Sequence, residues 1–218
     1  MPKHYDFIVF DWDGTLVDST QVIVESVQLA SVDAGLPVPS DEAARGIIGL
    51  ELGAAIAALF DDLTGEQLQY LVERYRYHYL VRDHAVPLFE GVADAMKELE
   101  AQGFMLGVAT GKTRRGLERA MINTALKPHF LATRCADECH SKPHPQMLEE
   151  LMDELGVEAE RTLMVGDTQY DMQMARNARV DSLAVSYGAQ PLESLLPHAP
   201  LAHFDRFTKL HQWLIINA

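Results

Sequence analysis

Cysteine is nearly absent from this chain. Of 218 residues only Cys135 and Cys139 carry thiols, which excludes a disulfide framework and makes a reducing cytoplasm the expected setting. Their spacing beside His140 lacks the second ligand pair that a structural zinc site needs. Basic residues are scarce as well: 18 Lys and Arg stand against 32 Asp and Glu, for a formal net charge of -14. That balance argues against an extended nucleic-acid surface or an anionic membrane partner. A few local cations or a bound metal can still reverse the field inside one cleft. Asp6 and Asp11 interrupt the first apolar stretch before it reaches secretory length, and no run is long enough to span a bilayer. No Gly/Ser linker or internal repeat occurs. Lysine is missing from Asp18 through Gly91, so that segment cannot supply an amine nucleophile.

What is present begins with a 48% hydrophobic composition, enough for a sizeable core in one domain or one domain with an insertion. Phe7-Ile8-Val9-Phe10 runs directly into Asp11-Trp12-Asp13-Gly14-Thr15. The apolar run reads as a strand covered on both faces, and Gly14 permits a sharp turn after it. Asp and Gly also occur at strand ends for conformational reasons alone. The same grammar recurs, however, at Met105 to Ala109 before Thr110-Gly111, at Leu163 to Gly166 before Asp167, and at Ser182 to Val185. Helical stripes lie between. Val92, Ala95, Met96 and Leu99 share one face before Gly103, and Met147, Leu148, Leu151, Met152 and Leu155 share another before Gly156. A third pattern runs from Met172 to Ala178. Strands alternating with helices predict an α/β fold, a Rossmann-like parallel sheet sandwiched by helices.

One connection breaks the rhythm. From Asp18 to Val86 the chain runs about 70 residues without a strand pattern, where a βα connection takes about 2 to 6. Helical patterns fill it at Val22 to Ala34, Asp41 to Ile47, Leu52 to Phe60 and Glu66 to Leu80, the last opened by a capping-box sequence at Thr64-Gly65-Glu66-Gln67. The expected organisation is a catalytic core of residues 1-17 and 88-218 with a helical cap at 18-87.

Four polar sites fall at strand ends or in the loops that follow: Asp11 with Asp13, Thr110 with Gly111, Lys142 before Pro143, and Asp167 with Asp171. In open parallel sheets ligands bind at that edge. Asp11-Trp12-Asp13-Gly14-Thr15, Thr110-Gly111, Ser141-Lys142-Pro143 and Gly166-Asp167-Thr168-Gln169-Tyr170-Asp171 together resemble, in order, the four motifs of the haloacid dehalogenase-like superfamily. The helical insertion is similar to the small cap of phosphoglycolate phosphatase-like members. The resemblance implies a hydrolase acting on a small phosphorylated metabolite, with Asp11 as nucleophile and Asp13 as general acid and then base. It implies that Asp11, Asp13 through its backbone carbonyl, and Asp167 ligate a metal supported by Asp171, and that Thr110, Gly111 and Lys142 hold phosphoryl oxygens. Arg45 in the cap is the expected further substrate contact.

Charge leads to the same cofactor. A carboxylate near a phosphate meets a repulsion of about 4 kcal/mol per unit pair at 4 Å and intermediate dielectric. Four aspartates against Lys142 leave the cluster negative, which calls for a hard divalent cation, Mg²⁺. Competing readings differ in what they need. Gly107 to Thr113 is one residue short of a P-loop. A dehalogenase is not expected to carry Asp13, and a phosphonate-cleaving member needs a cap lysine. A phosphoglucomutase-like phosphotransferase shares all four motifs, and a noncatalytic phospho-acceptor module needs only the aspartate and metal. The sequence leaves oligomeric state open, with a monomer as the default. Arg74, Arg76, His78 and Arg82 read as a solvated helix face, and the tyrosines from Tyr70 to Tyr79 as packing.

Overall fold

The computed structural model describes residues 4-83 and 86-218. The parts of the expected core and cap segments at 1-3 and 84-85 lie outside the described residues. Six strands form one parallel sheet: β1 (Phe7-Phe10), β2 (Met105-Thr110), β3 (Ala132-Cys135), β4 (Thr162-Gly166), β5 (Asp181-Val185) and β6 (Ala202-Phe204), in the order 3-2-1-4-5-6. The order reverses direction at β1, whose neighbours are β2 and β4. A crevice opens there beyond the carboxyl ends of the strands.

Every residue of β1 is buried. Strand alternation sends Phe7 and Val9 into one apolar layer with Met147, Leu151 and Met174, and Ile8 and Phe10 into the other with Met96, Leu99 and Leu210. Trp12 continues the second set and is fully buried, with its ring edge toward Phe130. Helices α5 (Val92-Ala101), α6 (Arg114-Asn123) and α10 (Phe207-Asn217) carry residues of that layer, and α7 (Gln146-Leu155) and α8 (Gln169-Asn177) carry those of the first. A short α9 (Leu192-Leu195) packs near β5. Gly103 and Gly156 take the left-handed conformation that ends α5 and α7.

Between β1 and α5 the chain forms α1 (Thr20-Asp33), α2 (Asp41-Gly46), α3 (Leu52-Ala57) and α4 (Gly65-Arg82). The two connecting strands of chain pair where they cross: Val17 bridges Leu88, and the Asp18 amide donates to the Pro87 carbonyl at 2.9 Å. Ala30, Ile56 and Leu71 are buried together between α1, α3 and α4. The predicted capping box forms in full, with Thr64 and Gln67 bonding each other's backbone amides at 3.2 and 2.9 Å.

The expected solvated face of α4 is corrected. Arg74 and His78 both reach Asp33 at 2.6 Å and tie α4 to α1. Tyr75 and Tyr79 stack at 5.8 Å, with Tyr79 buried. Arg76 alone of that set keeps a face free of partners among the described residues. No helix among the described residues is long and apolar enough to cross a membrane.

Candidate active site

Asp11 stands one residue beyond β1, held in line with the sheet by its amide, which donates to the Val165 carbonyl at 2.9 Å. The chain then turns through Gly14, which has φ near +79°, and whose missing side chain leaves room for the Asp167 carboxylate. That turn brings Thr15 back, so that its hydroxyl donates to Asp167 Oδ1 at 2.9 Å while the Ala189 amide donates to Oδ2 at 2.7 Å. Lys142, on the loop between β3 and α7, is almost completely buried and bridges Asp11 Oδ1 at 2.8 Å and Asp171 Oδ1 at 2.6 Å. The other oxygen of Asp171 accepts from the amide and hydroxyl of Thr168 at 3.1 and 2.7 Å.

Asp11, Asp167 and Asp171 therefore share one buried cluster, with an oxygen of each within 4.8 Å of the others, an arrangement that could hold a metal ion. Two oxygens in this group are treated differently. Asp11 Oδ1 takes bonds from Lys142 and from the Trp12 amide at 2.7 Å, whereas Asp11 Oδ2 is buried with no hydrogen-bond partner. A buried carboxylate oxygen left bare is costly, so this atom marks the place where a ligand or cation belongs.

The chain matches the profile of haloacid dehalogenase-like hydrolases over residues 8-185, a stretch that contains every residue of the cluster. The chain belongs to that family. This family member is 32% identical over 227 residues to the phosphoglycolate phosphatase of Rhodospirillum rubrum, covering 98% of this chain and 91% of that one. It is 29% identical over 205 residues to the pyrophosphatase PpaX of Anoxybacillus flavithermus, covering 93% and 94%. The crystal structure of a predicted phosphoglycolate phosphatase from Haemophilus somnus has a TM-score of 0.89 at 24% identity, covering 97% and 99%; that likeness concerns the fold.

Asp13, two residues past Asp11, faces a cavity of about 440 Å³. Ser19 donates to its Oδ1 at 2.6 Å, and Lys112 lies 3.0 Å from its Oδ2. Lys112 also donates to the Tyr79 hydroxyl at 3.0 Å, joining the loop after β2 to α4. Thr110 and Gly111 line the same cavity, and the Thr110 hydroxyl accepts from the Lys112 amide at 3.2 Å. Gly111 lies against the backbone of the α2-α3 loop: a Cβ there would come within 2.6 Å of the Leu50 carbonyl oxygen. Gly107, by contrast, sits under the Phe7 ring inside β2, which accounts for it by packing and not by a phosphate loop.

Arg45 is the expected site residue that the structure does not bring in. Its guanidinium donates to Gln21 at 3.3 Å, and it is not among the cavity-lining residues. Lys112, Ser19, Thr15 and Thr168 are the polar groups to which the sequence reading assigned no role. The signal for Lys112 was its position directly after Thr110-Gly111.

Electrostatics follow from this geometry. Burial pushes the Asp11 carboxyl up to about 7, against the pull of Lys142 and with repulsion from Asp171. Burial and the neighbouring carboxylates of Asp11 and Asp171 hold Asp167 well above its ordinary value. Burial works against the Lys112 ammonium, yet the Asp13 carboxylate keeps it firmly charged. Four aspartates against Lys112 and Lys142 leave a formal charge of minus two, a deficit that a divalent cation or bound protons must offset.

Proposed function

We propose that this hydrolase is a Mg²⁺-dependent phosphatase that cleaves a small phosphate monoester through a phosphoaspartate on Asp11. The observation that carries the reading is the division of labour at Asp11: Oδ1 is fixed by Lys142 and the Trp12 amide, and Oδ2 is bare. A nucleophile needs that combination of fixed orientation and a free lone pair.

The donor set fits Mg²⁺, which takes oxygen ligands from one or two carboxylates and keeps several waters. Asp11, Asp167 and the backbone carbonyl of Asp13 would hold it, with Asp171 fixing the cluster through Lys142 and Thr168. When bound, the ion supplies positive charge that offsets repulsion between nucleophile and phosphoryl group.

Asp11 Oδ2 attacks phosphorus as the bond to the ester oxygen breaks, and Asp13, having taken a proton from the arriving substrate monoanion, gives it to that leaving oxygen. Asp13, now a carboxylate, takes a proton from water; the water oxygen bonds to phosphorus and the bond to Asp11 breaks. Ser19 and Lys112 hold one Asp13 oxygen each, so the group keeps its aim through both steps. Lys142 uses two of its three N-H donors on aspartates, which leaves the third for a phosphoryl oxygen beside Thr110 and Gly111. Residues 18-87 would act as a cap that excludes water during the first transfer, with residues 1-17 and 88-218 as the catalytic core. Contacts from Gly46 to Tyr170 at 3.0 Å and from Glu51 to Ser141 at 3.1 Å support a closed position.

Phosphoglycolate- and sugar-phosphate-like metabolites suit the site, and the names of the relatives favour small phosphorylated compounds. The test is phosphate release from a metabolite-phosphate panel with Mg²⁺ and with EDTA, beside Asp11→Asn. Release by wild type with Mg²⁺ alone, and none by the variant, is expected. A variant as active as wild type would overturn the mechanism, and isomerisation without stoichiometric phosphate would indicate transfer instead.

A further inference from the structure

The cavity beside Asp11 and Asp13 offers far more than a phosphoryl site. At about 440 Å³ it lies within the roughly 300 to 1,000 Å³ of pockets that enclose drug-sized ligands. The wall contributed by the four inserted helices is apolar, with Ile23, Val27, Ile47, Leu52, Tyr75 and Leu80 lining it. Two arginines border the same space from opposite elements, Arg76 on α4 and Arg115 on α6. Both are exposed, and neither has a hydrogen bond, ion pair or ring contact among the described residues.

The other cations lining the cavity are paired, Lys112 with Asp13 and Arg119 with Asp83 at 2.5 Å. The one lining acid besides Asp11 and Asp13 among the described residues is Asp137, which accepts from the Arg114 amide at 2.8 Å. Outside the catalytic turn and the paired cations, the lining thus carries two guanidiniums against one carboxylate, in a chain whose net charge is -14.

We infer that the leaving group of the substrate carries an apolar body of several carbons and ends in a second anionic group. The body packs on the helical wall and the anion meets Arg76 and Arg115. The inference rests on the phosphatase reading and extends it to a substrate class. Phosphoglycolate, with a single methylene between phosphate ester and carboxylate, is the shortest member of that class and would leave most of the apolar wall uncovered.

The test uses the full chain with Mg²⁺ and two series of matched length: ω-phosphooxy carboxylic acids from phosphoglycolate to eight carbons, and unbranched alkyl phosphates. In the acid series kcat/KM is expected to rise about two- to fourfold per added methylene until the cavity is filled, the increment that burial of a CH₂ supplies. At the optimum length the carboxylate should be preferred over the methyl terminus by about tenfold, a charge-assisted contact. The Arg76→Gln/Arg115→Gln double variant should lose most of that preference. Because both side chains are exposed, its melting temperature serves as the folding control.

Activity that is flat or falls with length, or a preference unchanged in the double variant, would overturn the inference while leaving the phosphatase reading in place. No phosphate from either series beside release from another monoester of the metabolite panel would likewise overturn the inference alone, and no phosphate from the series or the panel would remove the phosphatase reading with it.

Discussion

Lys112 holds Asp13 from across the active cleft, its Nζ 3.0 Å from the carboxylate and 3.0 Å from the Tyr79 hydroxyl on α4. The lysine thus connects the proposed proton-transfer residue to the helical insertion. It is charged and mostly buried, and among the described residues Ser19 is the one other side chain that donates to Asp13, so its loss leaves Asp13 held by Ser19 alone.

Replacing Lys112 with Met keeps the length of the side chain and removes the charge. If Lys112 positions Asp13, kcat should fall by about 10²-fold, the lower end of what general acid-base catalysis contributes. Lys112→Arg should recover part of the loss because a cation is restored. Steady-state kinetics on a phosphate monoester, with the melting temperature as control, measure this. Full activity in Lys112→Met would show that Ser19 suffices.

Lys142 has a different role, since it neutralises two buried carboxylates at once. Truncation to Ala leaves Asp11 and Asp171 without their shared cation, and breaking a buried pair in this way costs about 3 to 5 kcal/mol. Urea unfolding of the metal-free protein should show a lower midpoint and an unfolding free energy smaller by about that amount. An unchanged midpoint would mean that protons or water already compensate the cluster.

The raised carboxyls set a pH dependence for the metal-free protein. Burial lifts Asp11 to about 7 and Asp167 well above its ordinary value, whereas both titrate near 3.9 in the unfolded chain. Between those limits the folded state binds more protons than the unfolded one, so stability falls as pH rises through the window. In EDTA the protein should melt at a higher temperature at about pH 5 than at about pH 7.5. Asp11→Asn, which cannot ionise, should lose less across the same range. Saturating Mg²⁺ should remove most of the loss. Equal slopes for wild type and variant would contradict the assignment.

Much of this arrangement is legible in the chain because central strands of a parallel sheet are apolar on both faces. β1, β2 and β4 read as mainly apolar runs, and β5 as a shorter one from Leu183, each ending at or just before a polar residue or glycine. The edge strands do not. β3 buries only its two end residues around Thr133 and Arg134, and β6 is three residues with an exposed His203. α6 has only three buried residues, Leu117, Ala120 and Met121, among charged neighbours and Gly116, which hides its period. Asp11, Asp167 and Lys142 are readable because each sits at or just after a strand or in a recognisable motif. The Lys112-Asp13 pair is not, because its partners are separated in sequence by the whole helical insertion and meet only through the turn after β1. Arg45 shows the converse: helix spacing places it on α2 but does not say that its guanidinium turns toward Gln21.

The central claim is that Asp11 becomes phosphorylated during turnover. The direct measurement is acid quench of Mg²⁺-loaded Asp13→Asn mixed with a nitrophenyl phosphate, whose phenolate leaves without a proton from the enzyme, followed by peptide mass spectrometry. With its water-activating carboxylate gone, this variant should accumulate one phosphoryl group on Asp11, and Asp11→Asn should carry none. Turnover by wild type with no phosphoryl group on Asp11 in any quenched sample, or a label on another residue, would contradict the account.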